Sequence, residues 1–240
     1  MRKTTLIIVL LIVLAFGGLL TWSLIQKSEA APNYADFNAN GVIEANKYNG
    51  EIADHVFGNA EAPVLIFEYA DYQCPGCATT YPRLKILLDE YGDNLGVVYR
   101  SYLLSYHQNG TAAASAAEAA GLQGYWQEYA DLLFNNQREW EYASVRERSE
   151  LFANYFETAS EGKGDVEQFK SDMGSARVKK KIDFDMGLGK YVGVESTPWI
   201  VIDNQHIDLN STGGEEGFLK LMREKIDSLL KSSQQGEDQD

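Results

Sequence analysis

The sequence predicts an α/β domain behind an apolar N-terminal segment, and three observations carry that reading. Short apolar runs bounded by turn residues alternate with stretches of 3.6-residue periodicity. One helical stretch of roughly eighty residues interrupts the strands without any strand signal of its own. The only two cysteines, Cys74 and Cys77, directly follow the first strong strand run.

At the N-terminus, Arg2 and Lys3 precede an apolar stretch over residues 6–25, broken only by Gly17, Gly18, Thr21 and Ser23. Twenty mostly apolar residues suffice to span a bilayer as a helix. The basic flank belongs in the cytoplasm, which places everything after Lys27 outside. Ser28-Glu29-Ala30 before Ala31 also fits a cleavage site, so a removable signal peptide is the alternative to an anchor over residues 1–31. The expectation is a single-pass protein of a bacterial-type cell membrane with an extracytoplasmic domain.

Residues 32–55 read as a polar linker. Within it, Asp36-Phe37-Asn38-Ala39-Asn40-Gly41 copies the start of a calcium loop, with oxygen ligands at Asp36, Asn38 and Asn40 and glycine at the sixth position. Position twelve is Lys47 where a bidentate acid should stand, so a turn-rich linker is the stronger reading and calcium the weaker.

The domain follows over residues 56–232. Val64–Ala70 is the first strand. A helix after the cysteines places Leu84, Leu87, Leu88 and Tyr91 on one face, with Pro82 expected to kink it. Gly92-Asp93-Asn94 breaks the chain before a strand over residues 96–103. Helical patterns over residues 111–120, 125–134, 145–156 and 166–186 make up an insertion spanning about 105–190. Strands return at Trp199–Ile202 and residues 206–209, and a helix over residues 216–230 closes the domain. Residues 233–240 read as a disordered acidic tail.

The composition sets 21 Lys and Arg against 35 Asp and Glu, a net charge of −14. Without Arg2, Lys3, Lys27 and Glu29 the balance is 18 basic to 34 acidic residues. That argues against nucleic acid as a partner and against an electrostatic grip on anionic lipid.

The spacing Cys74-Pro75-Gly76-Cys77 after a strand and at a helix start is the layout of a redox-active dithiol. Unpaired N–H groups and the helix dipole favour negative charge there, and the thiolate is the reactive form. A zinc site needs two further ligands, and His55, His107 and His206 form no H-x(3–5)-H pair. A purely structural disulfide closing so short a loop would gain little.

Phe57-Gly58-Asn59-Ala60-Glu61-Ala62-Pro63-Val64 and Phe67-Glu68-Tyr69-Ala70-Asp71-Tyr72-Gln73-Cys74-Pro75-Gly76-Cys77 resemble the opening of the DsbA-like thiol–disulfide oxidoreductases. Tyr125-Trp126-Gln127-Glu128-Tyr129 with Leu132-Leu133-Phe134 resembles their helical insertion, and Val192-Gly193-Val194-Glu195-Ser196-Thr197-Pro198 their cis-proline loop. The resemblance implies a thioredoxin-like fold with a helical insertion. It assigns Cys74 as the exposed, low-pKa thiol and Cys77 as the buried resolving one. Glu68 would be a buried acid taking the proton of Cys77, and strand alternation puts it on the same side as Ile66 and Ala70. Thr197 and Pro198 would form a cis peptide beside the cysteines that pairs with substrate backbone.

One departure stands out. Strongly oxidising members carry proline and histidine between the cysteines, whereas Pro75 is followed here by Gly76. That places the expected potential between about −270 mV, as in thioredoxin, and about −120 mV, as in DsbA. The resemblance further implies reduced or unfolded exported proteins as substrates and a quinone-linked membrane protein as redox partner, with no cofactor beyond the disulfide. A membrane-anchored reductase or isomerase, and a non-catalytic anchored binding module, are the alternatives.

Overall fold

The computed structural model describes residues 31–237. The apolar run at residues 6–25, with its membrane-spanning expectation, lies outside them. Among the described residues no helix is long and apolar enough to cross a membrane.

Five strands build one sheet: β1 (His55–Gly58), β2 (Val64–Ala70), β3 (Leu95–Ser101), β4 (Trp199–Ile202) and β5 (Gln205–Ile207). The order is β1-β3-β2-β4-β5. β2 and β3 run parallel, joined through helix α1 (Pro75–Tyr91), whereas β1, β4 and β5 pair antiparallel with their neighbours. β2 reads Val-Leu-Ile-Phe-Glu-Tyr-Ala because it is central and covered on both faces, which calls for a nearly continuous apolar run. Glu68 is the single polar residue in it.

Between β3 and β4 the chain inserts α2 (Gly110–Gly121), α3 (Trp126–Asn135), α4 (Gln137–Trp140), α5 (Val145–Ala159), α6 (Val166–Met173) and α7 (Ala176–Tyr191). The helix expected over residues 166–186 is two helices. Ser175 accepts from the Val178 amide and so caps a new start immediately after Gly174. α5 begins with a capping box in which Ser144 and Glu147 satisfy each other's backbone amides. α1 runs unbroken through Pro82.

The last helix, α8 (Glu215–Glu237), continues well into the tail that the sequence presents as disordered. The hydroxyls of Ser232 and Ser233 bond back to the carbonyls of Ser228 and Leu229 at 2.9 and 3.0 Å. β1 escapes the sequence pattern because four residues, one of them glycine, are too few to show alternation.

Residues 33–54 have the turns expected of them but are no free linker. Ile43 and Ile52 are buried, and Asp54 joins a fully buried ionic cluster. The Arg100 guanidinium donates to Asp54 Oδ2 at 2.7 Å and to the carbonyls of Ala39 and Gly41 at 2.6 and 2.7 Å. Lys181 Nζ meets Asp54 Oδ1 at 3.0 Å and Asp185 Oδ1 at 2.7 Å. Against the upward push of burial, Lys181 and Arg100 hold the Asp54 carboxyl down at about 2. The loop that resembles a calcium site is thus drawn onto a guanidinium by its own carbonyls. Of its side chains, Asn38 Oδ1 accepts from the Asn40 amide and Asp36 Oδ1 from Asn33. Among the described residues no group of three or more His, Cys, Asp or Glu is placed to hold a metal.

Candidate active site

β2 delivers the chain to the dithiol. Asp71 makes a turn in which its Oδ1 accepts from the Gln73 amide at 2.9 Å, and the Cys74 amide returns to the Asp71 carbonyl. Cys74 is then the N-cap of α1 in extended conformation, with Pro75 at the first helical position, where a missing N–H costs nothing.

Both cysteines are in the thiol form. Cys74 is 7 % exposed and Cys77 0 %, so the expected asymmetry holds, although Cys74 offers only a narrow opening where an exposed thiol is expected. The Cys74 thiol donates to the Thr197 carbonyl at 3.4 Å. The Thr197–Pro198 peptide is cis. Gly76 sits directly under this loop: a Cβ there would stand 3.0 Å from Pro198 Cδ and 3.6 Å from Cys74 Sγ. Glycine between the cysteines therefore lets the proline loop close over the dithiol.

The electrostatics separate the two thiols. Hydrogen bonding from Cys77, supported by Thr197 and the backbone amides of Cys77 and Gly76, holds Cys74 down at about 5 against the cost of burial. Burial pushes Cys77 well above the ordinary thiol range, and its hydrogen bond to Cys74 and the nearby Glu68 add to the effect. Glu68 is 1 % exposed, and it and the two cysteines act electrostatically on one another. Burial, then the Cys74 charge, push its carboxyl up to about 8. Neither carboxyl oxygen has a hydrogen-bond partner. Glu68 is therefore a buried, unpartnered carboxyl whose proton is held more tightly than that of an ordinary carboxylate.

The helical insertion grips the loop before the cysteines, through residues that sequence reasoning missed. Gln137 Nε2 donates to the carbonyls of Tyr72 and Cys74 at 2.7 and 3.1 Å. Gln73 donates to the Glu141 carbonyl at 2.7 Å and accepts from the Asn109 amide at 2.6 Å. Asp71 Oδ2 accepts from the Leu104 amide and pairs with His107 Nδ1 at 2.8 Å. Only Asp71 left a signal in the sequence, as a turn-forming residue just before the motif. Trp199, at the start of β4, is partly exposed and stacks on His206 at 3.5 Å.

Comparison with known proteins fits this arrangement. The thioredoxin family model matches residues 51–221. Bacillus subtilis BdbD in its oxidised form superposes with a TM-score of 0.60 at 18 % identity, covering 78 % of this chain and 98 % of that one. Wolbachia pipientis α-DsbA1 gives 0.58 at 21 % identity, covering 75 % and 94 %. Among curated relatives, a Na⁺/H⁺ antiporter, NhaA 1 of Salinispora arenicola, is 32 % identical over 156 residues, 63 % of this chain and 22 % of the antiporter. The chain spans less than a third of the length of the curated relatives it matches. With the matched family model covering most of its length, this chain belongs to the thioredoxin family and has the fold of its DsbA-like members.

Proposed function

We propose that this chain is a membrane-anchored, extracytoplasmic thiol–disulfide oxidoreductase that oxidises reduced exported proteins through Cys74 and Cys77. The observation that carries the reading is the split between the two thiols. Cys74, at the helix start and under the proline loop, is held at about 5, while Cys77 is sealed beside a buried acid. In the oxidised protein a substrate thiolate attacks Cys74 Sγ, the Cys74–Cys77 bond breaks, and Cys77 leaves with the electron pair and takes a proton from Glu68. A second substrate thiol then attacks the mixed disulfide and expels Cys74 as thiolate. The substrate loses two electrons and the protein gains them. Thr197 offers backbone beside Cys74 for an extended substrate segment.

The proposed direction draws support from the same thiolate. Lowering one thiol from the free value of about 8.5 to about 5 favours the reduced form at pH 7 by about 3 kcal/mol, or roughly 60 mV. A disulfide whose reduced form is so favoured tends to oxidise its substrates. Location at a membrane draws support from the basic residues and apolar run at the N-terminus, and from relatives that are antiporters by name. A quinone-linked membrane protein is the proposed electron acceptor.

Trapping tests the reading. Cys77→Ser should accumulate covalent complexes with exported proteins on non-reducing gels, and Cys74→Ser few or none. Equal trapping by both variants, or by neither, refutes the assignment.

A further inference from the structure

Each oxidation of substrate draws a proton from Glu68, and that proton has to be replaced. Cys77 is 0 % and Glu68 1 % exposed, and the narrow opening at Cys74 is filled by substrate during the mixed disulfide. The front of the site is closed when the proton has to move.

The sheet register offers a second way out. Glu68 on β2 pairs with Tyr99 on β3, and Tyr99 pairs with His55 on β1, so the three side chains stand in a row across one face toward the sheet edge. At that edge His55 Nε2 lies 2.8 Å from Glu118 Oε2 on α2, and the His55 side chain is 14 % exposed. Trp126 of α3 stacks on His55 at 4.4 Å and Tyr72 on Tyr99 at 4.8 Å. Around this row, both Glu68 oxygens, the Tyr72 hydroxyl and Trp126 Nε1 are buried with no hydrogen-bond partner. Buried polar groups are seldom left unmatched, and several orphans in one place call for ordered water. Burial raises the Tyr72 hydroxyl most; Glu118 and, last, Glu68 add to it, so it lies within electrostatic reach of both carboxyls. Cys74 and Cys77 face Glu68, and Lys181 and Asp185 reach Glu118.

We infer that Tyr72 and buried water relay protons between Glu68 and the His55–Glu118 pair, which opens to solvent at the edge of the sheet. The inference rests on the oxidoreductase reading. In one turnover Cys77 leaves as thiolate and takes the Glu68 proton. Water and the Tyr72 hydroxyl then pass one proton inward from the His55–Glu118 pair, and the pair recovers it from solvent. No electrons move along the row.

The test is single-turnover oxidation of a reduced dithiol peptide by the oxidised protein, quenched by thiol alkylation, in H₂O and D₂O. His55→Gln keeps a partner for Glu118 but carries no proton through, and Tyr72→Phe keeps the ring and loses the hydroxyl. Both should slow the release of Cys77 about tenfold or more and enlarge the solvent isotope effect. The ultraviolet titration of Cys74 and the reduction potential should stay at wild-type values, because a relay changes rates and not equilibria. Rates within twofold of wild type for both variants would overturn the relay. So would slowing matched by a moved Cys74 midpoint or an altered potential, which marks a structural role. If the wild-type protein oxidises neither the peptide nor dithiothreitol, it is the oxidoreductase reading that fails.

Discussion

Replacing Glu68 with glutamine makes a quantitative test of the buried acid. In the unfolded chain this carboxyl ionises near 4.5, and in the folded reduced protein near 8. Above pH 4.5 the unfolded state therefore loses a proton that the folded state keeps, and folding becomes less favourable as pH rises, until the folded group ionises too. At pH 7 the gap amounts to about 2.5 units of log population, or about 3 kcal/mol. Glutamine has nearly the same shape and no charge, so Glu68→Gln should stabilise the reduced protein by about 3 kcal/mol at pH 7 and by little at pH 4.5. For a domain of this size that is a rise in Tm of roughly 6–12 °C. Cys74 drives stability the other way over the same range, because its thiolate is favoured on folding. For this reason the difference between wild type and variant is the quantity to follow, by urea unfolding under reducing conditions from pH 4.5 to 8. A difference that stays flat across that range would mean that Glu68 is ionised in the folded protein, and the proton step to Cys77 would fall with it.

Three further outcomes are expected. The Thr197 side chain is among the groups that lower Cys74, so Thr197→Val should raise the Cys74 midpoint by roughly one to two pH units in ultraviolet titration; an unmoved midpoint would take Thr197 out of thiolate stabilisation. Lys181→Met leaves Asp185 without its cation and Asp54 with Arg100 alone, and should cost about 3–5 kcal/mol in urea unfolding; a loss below about 1 kcal/mol would mean the cluster is not paired as described. Gln137→Leu leaves the carbonyls of Tyr72 and Cys74 without their side-chain donor; it should cost about 1–3 kcal/mol and slow mixed-disulfide formation, and wild-type behaviour in both assays would separate the insertion from the dithiol loop.

What the sequence made legible is what neighbouring residues encode. The strand before Cys74, the helix after it, and the glycine and proline around them are local signals, and each element formed where its pattern lay. Glu68 was readable as a buried acid through the family resemblance; β2 is covered on both faces, so alternation alone does not single it out. The boundary at Ser175 was readable in principle, as a serine after glycine. It was hidden because the apolar period runs through it from one helix to the next.

What stayed hidden depends on residues far apart in the chain. Asp54 finds Arg100 across 46 positions and Lys181 across 127, and neither separation leaves a trace in local periodicity. This is why residues 33–54 look like a linker and pack as part of the domain. The grip on the dithiol loop has the same origin. Gln137 reaches Tyr72 across 65 positions, and Asn109 reaches Gln73 across 36. Both come from the insertion, which from its sequence alone is a set of amphipathic helices with no chemistry of its own. A carbonyl of Cys74 held by a buried amide fixes the direction in which α1 begins, and with it the N–H groups that meet the thiolate. The insertion therefore acts on the reactive thiol through the backbone that carries it, which no pattern of side chains near Cys74 could have disclosed.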